Sequence, residues 1–183
     1  YKRQVHALGI DLSHKMLEEA TKRNNSPHIE YKCMAIEDFD YIPESYDIVI
    51  SSLTFHYLEL FPDICKKVHR CLTPGGTFVF SVEHPVFTAY GSQDWFYDKQ
   101  RNILHWPVDR YFSEGKREAI FLGENVTKFH KTLTTYVNGL IQNGFEITGL
   151  VEPEPDKTLL DSIPGMRDEL RRPMMLIIAA IKK

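Results

Sequence analysis

Cysteine is scarce in this 183-residue chain, which carries only Cys33, Cys65 and Cys71. Their number is odd and their spacing fits no common metal motif, which argues against a disulfide framework or a cysteine-ligated zinc site. Three free thiols fit a reduced cytosol better than a secreted setting. Positive charge is never massed either: no run of Lys and Arg exceeds two residues, and the net charge is -3. That excludes a basic arm, and it argues against a nucleic-acid-binding surface. Long apolar runs are missing too. The longest, Met174 to Ile181, is far too short to span a bilayer, and the chain opens on no leader-like segment. The expectation is a soluble cytoplasmic protein whose partners include neither nucleic acid nor membrane.

What is present suits one domain over 1–183 with a real core, since 43% of the residues are hydrophobic. Val5 to Ile10 is short and apolar, ends at Asp11 and reads as a strand. Ser13 suits an N-cap, and Met16, Leu17 and Ala20 form one apolar stripe of a helix that stops near Asn24. Ile29 to Met34 is a second strand. Tyr46 to Ser51 is a third, with Ile48, Val49 and Ile50 apolar in succession. A strand without alternation predicts burial on both faces, as in parallel α/β sheets. Pro62 marks a helix start, and Phe61, Ile64, Cys65, Val68 and Leu72 follow a helical period. The turn Thr73-Pro74-Gly75-Gly76 then leads into a strand over Thr77 to Val82.

This order of strands and helices predicts an α/β fold with a doubly wound, mostly parallel sheet. The stretch 85–125 lacks a clear period and reads as an insertion of loops and short elements. Helical spacing returns at Phe129, Leu133, Tyr136, Val137, Leu140 and Ile141, closed by Asn143-Gly144. Phe145 to Val151 and Met174 to Ile181 are the last strands. The loop between them, Glu152 to Pro173, has no obvious crossover helix, so the two are expected to lie antiparallel.

In order, Gly9-Ile10-Asp11-Leu12-Ser13, Met16-Leu17, Ile36-Glu37-Asp38, Tyr46-Asp47, Ser51-Ser52-Leu53, His56-Tyr57 and Leu72-Thr73-Pro74-Gly75-Gly76 resemble the class I S-adenosylmethionine-dependent methyltransferases, in particular the type 11-like group. Ser81 to Pro85 and Phe129 to Thr132 further resemble a bacterial methyltransferase-like subgroup. The resemblance implies a Rossmann-like fold, S-adenosylmethionine as cofactor and methyl transfer to a small-molecule acceptor, and it names neither the acceptor nor an oligomeric state.

An acid after a buried strand can take both ribose hydroxyls of a nucleoside cofactor, and the resemblance gives Asp11 that role beside Leu12 and Met16. Asp11 also suits plain helix initiation. Ile36 and Glu37 fall where the family holds adenine; Ala35 stands where many relatives have aspartate, which leaves Glu37 or Asp38 as substitutes or as surface charge. Ser51, Ser52 and Leu53 end a strand where α/β proteins bind ligands, and they line the cofactor in this reading. Serines there also serve simply to terminate a strand. His84 and His56 are the candidate proton acceptors, as alternatives to packing histidines, with Glu83-His84 the first choice. Trp95, Trp106, Tyr57 and Arg110 are the candidate acceptor-binding residues, although the tryptophans equally suit a satellite core. No metal site is expected.

The family's glycine-rich loop is absent, since Gly9 and Gly91 stand alone. Counting back from Asp11 places that loop and its strand before Tyr1, so the sequence is expected to start late. Two rival readings follow: a non-catalytic methyltransferase-like binding module, and a nicotinamide-dependent oxidoreductase, against which the closing antiparallel strands speak.

Overall fold

A computed structural model describes residues 5–121 and 123–183. The chain divides after Tyr41 into two compact units. In the first, β1 (Ala7–Asp11) and β2 (Ile29–Cys33) pair in parallel, joined by helix α1 (His14–Arg23). Ser13 caps α1 by accepting the Met16 N–H at 3.3 Å, as the sequence predicts. A 3-10 turn over Ile36–Asp38 follows β2. The Met34 N–H donates to the Asp11 carbonyl at 3.0 Å, which ties together the chain leaving both strands.

The second unit is built on a four-stranded sheet. In it β3 (Tyr46–Ser52) lies parallel to β4 (Leu72–Glu83), joined through α2 (Phe61–Cys71). The short helix α3 (Pro85–Thr88) leaves β4, and the hairpin β5 (Phe96–Tyr97) with β6 (Ile103–His105) follows. A second hairpin pairs β7 (Gly115–Phe121) with β8 (Glu124–His130). Helix α4 (Leu133–Ile141), β9 (Phe145–Val151), α5 (Lys157–Ser162) and β10 (Met175–Lys182) complete the chain. Strand β10 runs antiparallel between β4 and β9, giving the order β3-β4-β10-β9. The antiparallel closing pair is therefore as expected, and β3, β4 and β9 all end at the same edge of the sheet.

Burial of alternate residues Phe78, Phe80 and Val82 explains why one face of β4 forms the core. Against it pack Phe55, Phe61 and Tyr136, with ring centroids 4.9 Å apart for Phe61–Tyr136 and 5.4 Å for Phe55–Phe80. The Phe61, Ile64, Cys65 and Val68 stripe of α2 is buried, as its spacing requires.

Four expectations fail. The Thr73-Pro74-Gly75-Gly76 turn expected ahead of the strand lies within β4, which starts at Leu72 and shifts register against β3 there. The spacing that begins at Phe129 predicts one helix, but β8 runs to His130, and Thr132 caps α4 by accepting the Thr135 N–H. The segment 152–173 is not a bare loop: Asp156 caps α5, and a 3-10 helix spans Met166–Arg171. Ile48 and Ile50, expected to be buried, are 59% and 75% exposed. They share a sheet face with Thr77 and Val79, opposite the Phe78–Phe80 face.

Candidate functional site

In the first unit Asp11 stands exposed at the carboxyl end of β1. Its Oδ1 accepts the Ser13 N–H at 2.7 Å, an Asx turn that fixes the carboxylate, while Oδ2 has no partner among the described residues. Leu12 and Met16 beside it are 72% and 61% exposed. A fixed carboxylate with a free oxygen, flanked by exposed apolar side chains, fits the ribose and base of a nucleoside cofactor. Ile36 and Glu37 occupy the turn after β2, where the Ile36 carbonyl is held by the Tyr41 hydroxyl at 2.9 Å.

In the second unit Ser51, Ser52 and Leu53 close β3. Leu53 adopts a left-handed backbone, φ 53°, a conformation that costs a non-glycine residue about 1–3 kcal/mol. Its N–H is held there by the Ser81 carbonyl at 2.9 Å and by Ser81 Oγ at 3.2 Å. The same hydroxyl lies 3.5 Å from Ser52 Oγ. Strain that is held in place at a strand end is characteristic of ligand-facing backbone.

At the neighbouring end of β4 lies a buried polar group that sequence reasoning missed. Lys128 Nζ donates to Glu83 Oε1 at 2.6 Å and to Gln93 Oε1 at 2.7 Å. Gln93 Nε2 closes the ring by donating to Glu83 Oε2 at 2.7 Å. The signal was present in β8, where Val126, Lys128 and His130 alternate onto one face and put a lysine where an apolar residue belongs. The 3-10 turn Phe55–Tyr57 packs beside this group, with the Tyr57 ring 6.0 Å from Lys128 Nζ. Lys131, also buried, donates to the carbonyls of Phe55, Leu58 and Phe129 and so pins that turn. Burial pulls its ammonium down to about 8.

The two candidate histidines are buried. His56 Nδ1 accepts the Glu83 N–H at 3.3 Å, and His84 Nδ1 accepts the Val86 N–H at 3.0 Å as the N-cap of α3. Each neutral ring then has its proton on Nε2 and no lone pair left for an acceptor's proton. His84 Nε2 lies 2.8 Å from Glu152 Oε1, close but out of line for a hydrogen bond. Desolvation outweighs nearby Glu83 and takes His56 down to about 4. The unfolded histidine, near 6.5, binds more protons between those two values. Stability from His56 is thus complete above pH 6.5 and is lost as pH falls towards 4. On going from pH 7.5 to pH 5, the unfolding free energy measured in urea should fall by about 2 kcal/mol more in wild type than in a His56→Gln variant. Equal losses in the two proteins would remove His56 from this account.

Trp95 and Trp106 join neither group. Trp106 stacks on Phe87 at 4.9 Å and meets Trp95 edge-on at 5.1 Å. The Arg172 guanidinium sits 4.3 Å from the Trp106 ring, 4.7 Å from Phe87 and 5.1 Å from Trp95. The cation in this aromatic cage is therefore the protein's own, oriented by two bonds to Glu169. Arg110 is exposed, and its carbonyl accepts from Arg117.

Residues 1–80 match the model of a methyltransferase domain family. A Listeria monocytogenes protein assigned as an S-adenosylmethionine-dependent methyltransferase is 55% identical, with a TM-score of 0.92 over 96% of this chain and 79% of its own. An S-adenosylmethionine-dependent methyltransferase from Mesorhizobium loti is 37% identical, with a TM-score of 0.85 over 96% of this chain and 80% of its own. A Haemophilus influenzae protein of unassigned function is 32% identical over 96% of this chain and 71% of its own length.

Proposed function

The chain belongs to the class I S-adenosylmethionine-dependent methyltransferases, and on that premise we propose that its acceptor is a small molecule bound at the carboxyl ends of β3 and β4. The cofactor supplies a methyl group already activated on a sulfonium, so the protein's work is alignment and exclusion of water. Asp11 takes the ribose through its free oxygen, Leu12 and Met16 cover its apolar surface, and Ile36 and Glu37 hold the base. The family resemblance assigns Ser51, Ser52 and Leu53 to the cofactor as well. The observation that carries the assignment is the fixed, half-free carboxylate of Asp11.

Tyr57 faces the acceptor, positioned by the turn that Lys131 pins. His56 and His84 act as positioning residues, holding the Glu83 N–H and the start of α3. Neither deprotonates an acceptor, because the ring lone pair is already engaged. The sequence that favours a small acceptor is its lack of any basic run. Incubation of the intact protein with methyl-labelled S-adenosylmethionine and a cell extract should place label in the small-molecule fraction. Label confined to protein or RNA would contradict the proposal.

A further inference from the structure

A cavity of about 510 Å³ opens beside Trp95 and carries no assignment in the reading above. Its apolar wall is formed by Trp95, Ile103, Leu159, Met166, Met174 and Met175, with prolines also in the lining. Flexible thioethers and a ring suit an apolar ligand of variable shape. The charged lining is of one sign only: Glu154, Asp168 and Glu169, with no lysine or arginine. Asp168 is paired with Arg171 at 3.0 Å and Glu169 with Arg172 at 2.8 Å. Glu154 has no partner among the described residues.

Position adds to this chemistry. Met175 pairs with Glu83, the last residue of β4, and Met174 accepts the His84 N–H at 2.8 Å. The Pro153–Pro155 wall follows the end of β9. The cavity therefore lies at the sheet edge where β3, β4 and β9 terminate, the edge at which open α/β sheets bind their ligands. Arg172, caged by Trp95 and Trp106 and bonded to Glu169, braces two of its walls.

We infer that this cavity receives an apolar small molecule bearing one cationic group, with the apolar body against Trp95 and the methionines and the cation beside Glu154. The inference rests on the small-molecule reading of the acceptor and specifies its class. Three probes that share a phenethyl body test it: phenethylamine, 2-phenylethanol and 3-phenylpropanoate, titrated calorimetrically into the intact protein. The amine should bind about fivefold more tightly than the alcohol, the upper range for a partly exposed ion pair, and the carboxylate most weakly. Glu154→Gln should erase the preference for the amine, and Leu159→Trp should abolish binding of all three with the thermal midpoint unchanged. Equal binding of amine and alcohol, or a preference that survives Glu154→Gln, would overturn the inference. So would unaltered binding in Leu159→Trp. A parallel titration with S-adenosylhomocysteine separates the two levels. Cofactor binding without amine binding removes the cavity assignment alone, whereas amine binding without methyl transfer in the extract assay removes the function alone.

Discussion

Replacing Asp11 with alanine is expected to weaken S-adenosylhomocysteine binding by about 10- to 100-fold. A carboxylate that accepts from a ribose hydroxyl forms a charge-assisted hydrogen bond worth about 1.5–3 kcal/mol. Oδ1 is already committed to the Ser13 N–H, so Oδ2 is the atom that remains for the ligand. Alanine also removes the Asx turn ahead of α1. Asp11→Asn separates the two effects, because its amide oxygen keeps the bond to Ser13 and loses the charge. The asparagine variant should therefore retain the wild-type thermal midpoint and still bind the nucleoside about tenfold more weakly. Unchanged affinity in both variants, measured by calorimetry, would reduce Asp11 to a helix-initiating residue.

The largest effect on stability is expected at Lys128. Truncation to methionine leaves the Glu83 carboxylate in a buried setting with Gln93 as its one remaining partner among the described residues. Breaking a buried pair from one side costs about 3–5 kcal/mol, a large share of the 5–15 kcal/mol typical of a folded domain. At about 2–4 °C per kcal/mol, the melting temperature should fall by roughly 10 °C. The double variant Lys128→Met/Glu83→Gln should recover part of that loss, because no uncompensated charge is then left behind. A single variant that melts with wild type would show that the pair is not closed in solution.

The main strands were legible because they carry local signals, although β1 and β2 form a two-stranded sheet of their own where one sheet was expected. The Phe145 to Val151 strand has its observed limits in the sequence, and its antiparallel pairing with the last strand was expected, although the segment between them, read as lacking a helix, holds α5. The buried stripe of α2 was legible for the same reason, since residues spaced at 3, 4 and 7 must share a helix face. The limits of α4 were obscured because Phe129 and Leu133 are four apart and continue its period by chance. The capping Thr132 was the better marker. Asp11 was legible as an acid after a strand. The Glu83–Lys128–Gln93 ring was not, because its members lie 10 to 45 residues apart and meet only through tertiary packing. The caged Arg172 was hidden likewise: a surplus of aromatics predicts a cluster, and only the fold places the protein's own guanidinium inside it.

Calorimetric titration of the intact protein with S-adenosylhomocysteine, and separately with NAD, tests the central assignment most directly. The account predicts saturable, stoichiometric binding of S-adenosylhomocysteine that weakens in Asp11→Asn, and no binding of NAD. Binding of NAD in its place, or S-adenosylhomocysteine affinity indifferent to Asp11, would contradict it.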